Sequence, residues 1–475
     1  MFLNAFDTSK STVRLFQYSE KGMNEIVDYF CDHSLNHRYH HTIVGSTAEG
    51  LEDCKSDIDV IMFNSKHVVI ESINDTYDCT DPEILVVRIP DEGHPGYSKL
   101  RVHCIFSIKH FQFGIAPSKY AATKDGKVYL KNSVKELIPA VVKFHTHYSI
   151  NGPAFHTKSN EHHVKKVLQE LGIETQIFDS EYDSLEDVVF CIKSTEWPIE
   201  ASEWTRRRRA SNWPTKELFD NIINAGYYLA AVGSKESKYN EIQWRVSFNK
   251  AELLIIESFN ETQIHCIRLL KILKNNRLSK IAGNNITSYT MKTVMFWCLE
   301  EKSDEFWQSS NLMVCFCFCV SKLKSFVENV FIPNYFLRDR NQFIASEFTC
   351  EIQKKTNQYL DRFLRNPKHG ISLLLPSYKY SAKTSISELH LIGMNRFILN
   401  WLQRRLLTTQ ENYIVNRDLL WKLYDGYNIQ NILLRCDMAL EKLKTISYTQ
   451  PLIKNLQNYM GLLQYILLRE EKKTS

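Results

Sequence analysis

With 475 residues, 44% hydrophobic and 24% charged, the chain has the composition of a globular protein, with apolar side chains enough for two or three domains; a largely disordered or fibrous polymer is excluded. The formal net charge of +5 is a weak basic bias, compatible with a polyanionic partner without demanding one. Its 12 cysteines are scattered without metal-ligand spacing, as expected of reduced thiols packed as small hydrophobes.

Met1 to Asp7 lack the basic and apolar regions of a secretory signal, so a cytoplasmic protein is expected. From about residue 11 to 31, Val13, Phe16, Met23, Ile26, Val27 and Phe30 recur at helical spacing and predict a long leading helix. Gly45-Ser46-Thr47-Ala48-Glu49-Gly50 then forms a Gly-Ser turn, and Ser56-Asp57-Ile58-Asp59-Val60-Ile61-Met62-Phe63 reads as a strand. Further strands are predicted over 84–89, 100–108 and 188–192, separated by turns such as Asp91-Glu92-Gly93-His94-Pro95-Gly96. Helical periodicity dominates from about Thr215, with amphipathic segments over 263–274, 289–301 and 312–331. The most apolar run, 312–320, stops at Ser321-Lys322-Leu323-Lys324, short of a bilayer span, so a buried helix and no membrane partner are expected. A loop at Leu374-Leu375-Pro376-Ser377 precedes a final helical segment. The division is a core lobe over 1–214, a helical lobe over 215–375 and a C-terminal extension over 376–475, an α+β protein with a mixed sheet and a mostly helical second lobe.

On a strand, Asp57 and Asp59 share one face while Ile58 and Val60 point into the core. Two carboxylates on one face just after a Gly-Ser turn suit a site that holds a nucleoside triphosphate with Mg²⁺ or Mn²⁺. Hard oxygen ligands select such ions, and two of them about 3.5–4 Å apart can clamp the attacking and leaving oxygens of a phosphoryl displacement. Gly45 lets the backbone approach phosphate, and Ser46 adds a hydroxyl donor. Asp187, at the start of the 188–192 strand, is the candidate third metal ligand; Glu186 lies one residue away on the opposite face, and a register slip would exchange the two. The plainer alternative is a turn leading into an edge strand with solvated aspartates. Cys315, Cys317 and Cys319 spread around a helix and converge on no metal.

These residues resemble the cyclic GMP-AMP synthase-like receptors and their male-abnormal (Mab) relatives among the nucleotidyltransferases. The likeness is carried by the Gly-Ser turn with Asp57 to Phe63, by Asp187 followed by Trp197-Pro198, and by Trp204, Arg206-Arg207-Arg208-Arg209 and Trp213-Pro214. Trp244-Arg245-Val246-Ser247-Phe248, Ser288-Tyr289-Thr290-Met291-Lys292-Thr293 and Ile332-Pro333-Asn334-Tyr335-Phe336 follow in family order. The resemblance implies a bilobal nucleotidyltransferase fold whose cleft holds two nucleotides, ATP and/or GTP. Arg245 would contact phosphate or base, Lys271 and Ser288 would hold the triphosphate, and Tyr289 would stack on a base. No Cys/His cluster follows the Trp244 strand, so no zinc is expected, which moves weight from DNA toward double-stranded RNA as the activating ligand.

The expected function is a ligand-activated synthase of a cyclic dinucleotide in innate immune signalling. The alternatives are a catalytically silent Mab-type scaffold and a template-free RNA nucleotidyltransferase. Arg206 to Arg209 form the densest basic run, and Arg268, Lys271 and Lys274 recur along one helix; both are candidate nucleic-acid surfaces. The sequence leaves oligomeric state open.

Overall fold

The computed structural model describes residues 39–51, 58–72, 82–105, 121–124, 126–133, 148–151, 154–158, 185–344 and 347–374. The predicted leading helix, Asp57 and the C-terminal extension lie outside the described residues.

Alternating and continuous apolar runs form a 12-stranded mixed sheet. Its main path runs β1 (Tyr39–Val44), β2 (Ile58–Asn64), β10 (Leu185–Ser194), β11 (Tyr227–Ala230), β12 (Gln243–Ser247), β5 (Tyr97–Ile105), β4 (Ile84–Pro90), β3 (His67–Ile70). Two hairpins branch from it: β6 (Ala121–Lys124) with β7 (Lys127–Leu130), joined to β5, and β8 (Tyr148–Asn151) with β9 (Ala154–Lys158), joined to β10. β2 lies antiparallel to β1 and parallel to β10. Alternation decides the two faces. Val60, Met62, Val188, Phe190, Ile192, Trp244 and Val246 enter the main core. Ile61, Cys191, Tyr228 and Ala230 pack with Val44 on the opposite face. β11 and β12 carry the sheet past residue 214, where helical periodicity alone had set the lobe boundary; the Lys216–Ala225 helix is an excursion between strands.

After β12 the chain is helical, and side-chain caps fix two helix starts that matter for the site. Asn260 and Gln263 bond reciprocally, each side chain to the other's backbone N–H, at the head of the Glu261–Leu273 helix. Thr287 and Thr290 do the same for the Ser288–Glu301 helix. Each pair satisfies backbone donors that the first turn leaves open.

The Leu312–Glu328 helix, with the turn before it, makes a 20-residue element over Ser309–Glu328 that is long and apolar enough to cross a bilayer. The helix falls within the 312–331 segment expected from periodicity, and the apolar run 312–320 is its first half. Its Cys315, Phe316, Cys319, Val320, Leu323, Phe326 and Val327 are buried against the neighbouring helices. Lys324 pairs with Glu328 and, at 3.3 Å, with Asp361, while Lys322 pairs with Glu301.

Candidate active site

The register of β2 and β10 builds the centre of the site. Asp187 is paired across the parallel ladder with Asp59, and Glu186 with Ile58. Paired positions on neighbouring strands share a face and lie about 4.8 Å apart, so the two aspartates form one carboxylate pair. Asp59 is exposed and Asp187 half-buried, on the face opposite the main core.

Gly45 closes the site from above. Its φ is +66°, and a Cβ placed there would come within 2.2 Å of an Asp59 carboxylate oxygen. Only glycine lets the turn sit this close, which makes a cradle of backbone against carboxylate. Hard oxygen donors so arranged fit Mg²⁺ or Mn²⁺. Among the described residues no three His, Cys, Asp or Glu side chains gather as a metal cluster; Asp57, the remaining sequence-predicted ligand, lies outside them.

Ser46 lies half-buried in the single helical turn Gly45–Ala48. The end of that turn is gripped from the Glu261–Leu273 helix: Arg268 donates to the Gly50 carbonyl at 2.8 Å and Lys271 to that of Leu51. Leu51 N–H in turn donates to the Ser46 carbonyl at 2.9 Å. Lys271 thus lies at the end of the Gly-Ser turn and is buried, 8% exposed, rather than part of a solvated basic face.

A further buried contact was not read from the sequence. Lys292 lies 2.6 Å from Glu49 and 3.0 Å from Glu252, joining the Gly-Ser turn to two helices. Burial opposes the Lys292 charge, but Glu252 and Glu49 outweigh it and hold its proton above the usual lysine range. Burial raises the Glu49 carboxyl by more than Lys292 lowers it. Three charges that would be costly alone are stable only as a set.

Ser288 and Tyr289 open the Ser288–Glu301 helix, with the Lys292 ammonium 5.4 Å from the Tyr289 ring centre. The Tyr289 hydroxyl accepts from Asn334 Nδ2 at 2.9 Å. Buried Asn334 also accepts from the Phe336 and Leu337 N–H groups and donates its own N–H to the Arg340 carbonyl. Burial pushes the Tyr289 hydroxyl above the usual tyrosine range, so it stays protonated. Arg245 lies on the carboxylate face: the row Phe63, Cys191, Ala230, Arg245, Tyr97 crosses five strands in register. A cavity of about 1100 Å³ runs along this face, lined among others by Gly45, Glu49, Phe63, Lys193, Tyr228 and Lys250.

The four-arginine run is not one basic surface. The chain becomes extended after the Ser202–Arg206 helix, and alternate residues turn inward. Arg206 and Arg208 are exposed. The Arg207 side chain is 5% exposed, bonded to Glu203 at 2.8 Å and Glu300 at 3.2 Å, with its guanidinium 4.4 Å from the Trp297 ring centre. Arg209 lies 2.8 Å from Glu300 and 4.8 Å from the Trp204 ring centre. Arg207 and Arg209 bind this protein's own carboxylates and indoles, which corrects their assignment to a nucleic-acid face.

A mixed sheet carrying in-register aspartates below a Gly-Ser turn, followed by capped helices, defines a nucleotidyltransferase fold. Residues 133–258 match the Mab-21 protein nucleotidyltransferase domain and residues 262–360 the Mab-21 protein HhH/H2TH-like domain. The chain thus carries a Mab-21 nucleotidyltransferase domain followed by the Mab-21 helical domain. It is 26% identical over 177 residues to "Cyclic GMP-AMP synthase" of Sus scrofa, covering 33% of this chain and 35% of that protein. It is 27% identical over 171 residues to "Protein mab-21-like 3" of Danio rerio, covering 35% of this chain and 41% of that protein. To "Cyclic GMP-AMP synthase-like receptor" of Tribolium castaneum it is 26% identical over 140 residues, covering 29% of this chain and 33% of that protein. The matches thus span less than half the length of each of these relatives.

Proposed function

We propose that this protein is a metal-dependent nucleotidyltransferase that joins two nucleoside triphosphates, ATP and/or GTP, into a cyclic dinucleotide second messenger. The observation that carries the reading is the Asp59–Asp187 pairing directly beneath Gly45. Asp59 and Asp187, with Asp57, would hold two divalent ions. Such ions, when bound, polarise the α-phosphate and ease ionisation of the acceptor hydroxyl. Gly45 and Ser46 orient the donor phosphates, Lys271 and Ser288 flank them, and Tyr289 and Arg245 line the wall where the nucleotides lie. A ribose hydroxyl of one nucleotide attacks the α-phosphate of the other, a P–O bond forms, the bond to pyrophosphate breaks, and a second round closes the ring.

We also propose double-stranded RNA as the activating ligand; the absence of a Cys/His cluster after the Trp244 strand in the sequence favours it. The likeness to a mab-21-like protein supports a second reading, a silent scaffold that binds nucleotide without turnover. Incubating the full chain with labelled ATP, GTP, CTP and UTP, in Mg²⁺ or Mn²⁺, with and without RNA or DNA duplex, separates the readings. A cyclic product that requires RNA supports synthesis and its trigger. Nucleotide binding with no pyrophosphate released under any of these conditions supports the scaffold, and lengthening of added RNA points to end-extension.

A further inference from the structure

Arg340 takes no part in the site above, yet it packs against the sheet row that carries Arg245. Its side chain crosses the backbone of Gly96, where φ is +84° and a Cβ would come within 2.6 Å of Arg340 Cδ. Its guanidinium lies 5.5 Å from the Tyr97 ring centre. Tyr97 is in turn the cross-strand partner of Arg245, and the Arg245 charge acts on that of Arg340. The Arg340 turn is fixed by its own N–H to the Leu337 carbonyl at 2.9 Å, and by Asn334, the residue that also holds the Tyr289 hydroxyl.

The charge balance is the informative part. Among the described residues several interior cations find carboxylates: Arg88 has Glu71 and Glu200, Arg207 and Arg209 share Glu300, and Lys292 has Glu49 and Glu252. Neither Arg245 nor Arg340 makes an ion pair there, and the nearest acidic influence on Arg340, Glu252, is bonded to Lys292. Burial and the neighbouring Arg245 both work against the Arg340 charge. Two like charges held side by side without a protein carboxylate call for an anion from outside.

We propose that Arg340, over the Tyr97 ring, and Arg245, the cross-strand partner of Tyr97, form an anion subsite that takes a phosphate group of a bound nucleotide. The inference rests on the nucleotide-binding reading above. From strand spacing and rise, Arg245 lies roughly 16 Å from Asp187 between Cα positions, so this subsite serves phosphates directed away from the carboxylates. A base edge carries no net charge and would leave the repulsion between the two arginines standing.

Calorimetric titration of the metal-free full chain with inorganic tripolyphosphate, ATP or GTP, and the matching nucleosides tests the subsite without relying on turnover. R340Q should weaken tripolyphosphate and nucleotide binding about tenfold, the size of one charge-assisted hydrogen-bond pair, and leave nucleoside binding unchanged. R340K should recover part of the loss, and Lys216→Gln, on an exposed helix, should have no effect. Wild-type affinity for tripolyphosphate in R340Q overturns the proposal, as does an equal loss for nucleosides. If R340Q melts below wild type, R340K, which keeps the charge, decides: a tripolyphosphate affinity above that of R340Q with unchanged nucleoside affinity supports the subsite, and a tripolyphosphate affinity no better than that of R340Q in an R340K that melts like wild type overturns it. Phosphate binding through Arg340 in a protein that releases no pyrophosphate keeps the subsite and sinks the catalytic reading alone.

Discussion

Gly45→Ala separates the cost of a backbone conformation from the cost of displacing a carboxylate. At φ +66° an alanine is strained by about 1–2 kcal/mol, of which a more ordered unfolded chain returns about 0.4–1 kcal/mol. That alone lowers the melting temperature by a few degrees. The new Cβ would also meet the Asp59 carboxylate at 2.2 Å, so the carboxylate has to retreat by about 1.2 Å or more to reach ordinary contact at 3.4–4 Å. A displacement of that size at reacting groups costs about 100-fold in rate. Gly126→Ala is the matched control, since φ is +68° there and no heavy atom lies within 4 Å of the added carbon. Thermal melts together with pyrophosphate release should give comparable small stability losses for the two variants, but a turnover loss of about two orders of magnitude only in G45A. If G45A and G126A turn over within about threefold of each other, the close seat of Asp59 under Gly45 plays no part in catalysis.

Lys292→Met leaves Glu49 and Glu252 buried without their cation and should destabilise the protein by about 3–5 kcal/mol in urea titrations, with Glu49→Gln in the same chain restoring part of the loss. Arg207→Ala should cost about 1–3 kcal/mol by removing one of the two arginines that hold buried Glu300, whereas Arg206→Glu with Arg208→Glu should stay within about 0.5 kcal/mol of wild type. If this run touches an RNA duplex, only the exposed pair should change the salt dependence of activation. Asp91 is held below its usual range: burial raises it, but hydrogen bonds from Gln243 and Lys99 outweigh that. Its stabilisation is therefore present above the ordinary Asp pKa of about 3.9 and lost as pH falls through the lower folded value. Urea midpoints of wild type and D91N should differ most at pH 7 and the difference should shrink as pH falls below the ordinary Asp value; a difference that does not shrink on acidification would contradict the assignment.

Local pattern carried much of the fold and the centre of the site. The alternation in Val60-Ile61-Met62 and Val188-Val189-Phe190 predicts strands with two unlike faces, and β2 and β10 have them. The pairing that sets Asp187, not Glu186, against Asp59 depends on register between strands more than 100 residues apart, which no short window contains. Lys292 and Glu49 are separated by 243 positions and look like ordinary surface charges until the helices pack. Arg206 to Arg209 misled for the opposite reason: density of charge in sequence says nothing about direction, and an extended backbone sends alternate side chains to opposite sides. Arg340 sits just past a recognised Asn-Tyr-Phe motif, but only the Gly96 turn reveals where it goes.

The central claim is that Asp59 and Asp187 together carry nucleotidyl transfer. Its most direct test is pyrophosphate release from a mixture of ATP and GTP in Mn²⁺ by wild type, D59N, D187N and E186Q, each first shown to melt like wild type. The account predicts turnover by wild type and E186Q and none by D59N or D187N, because the amides keep the shape and lose the charge that binds the ions. Undiminished turnover by folded D187N or D59N would contradict it.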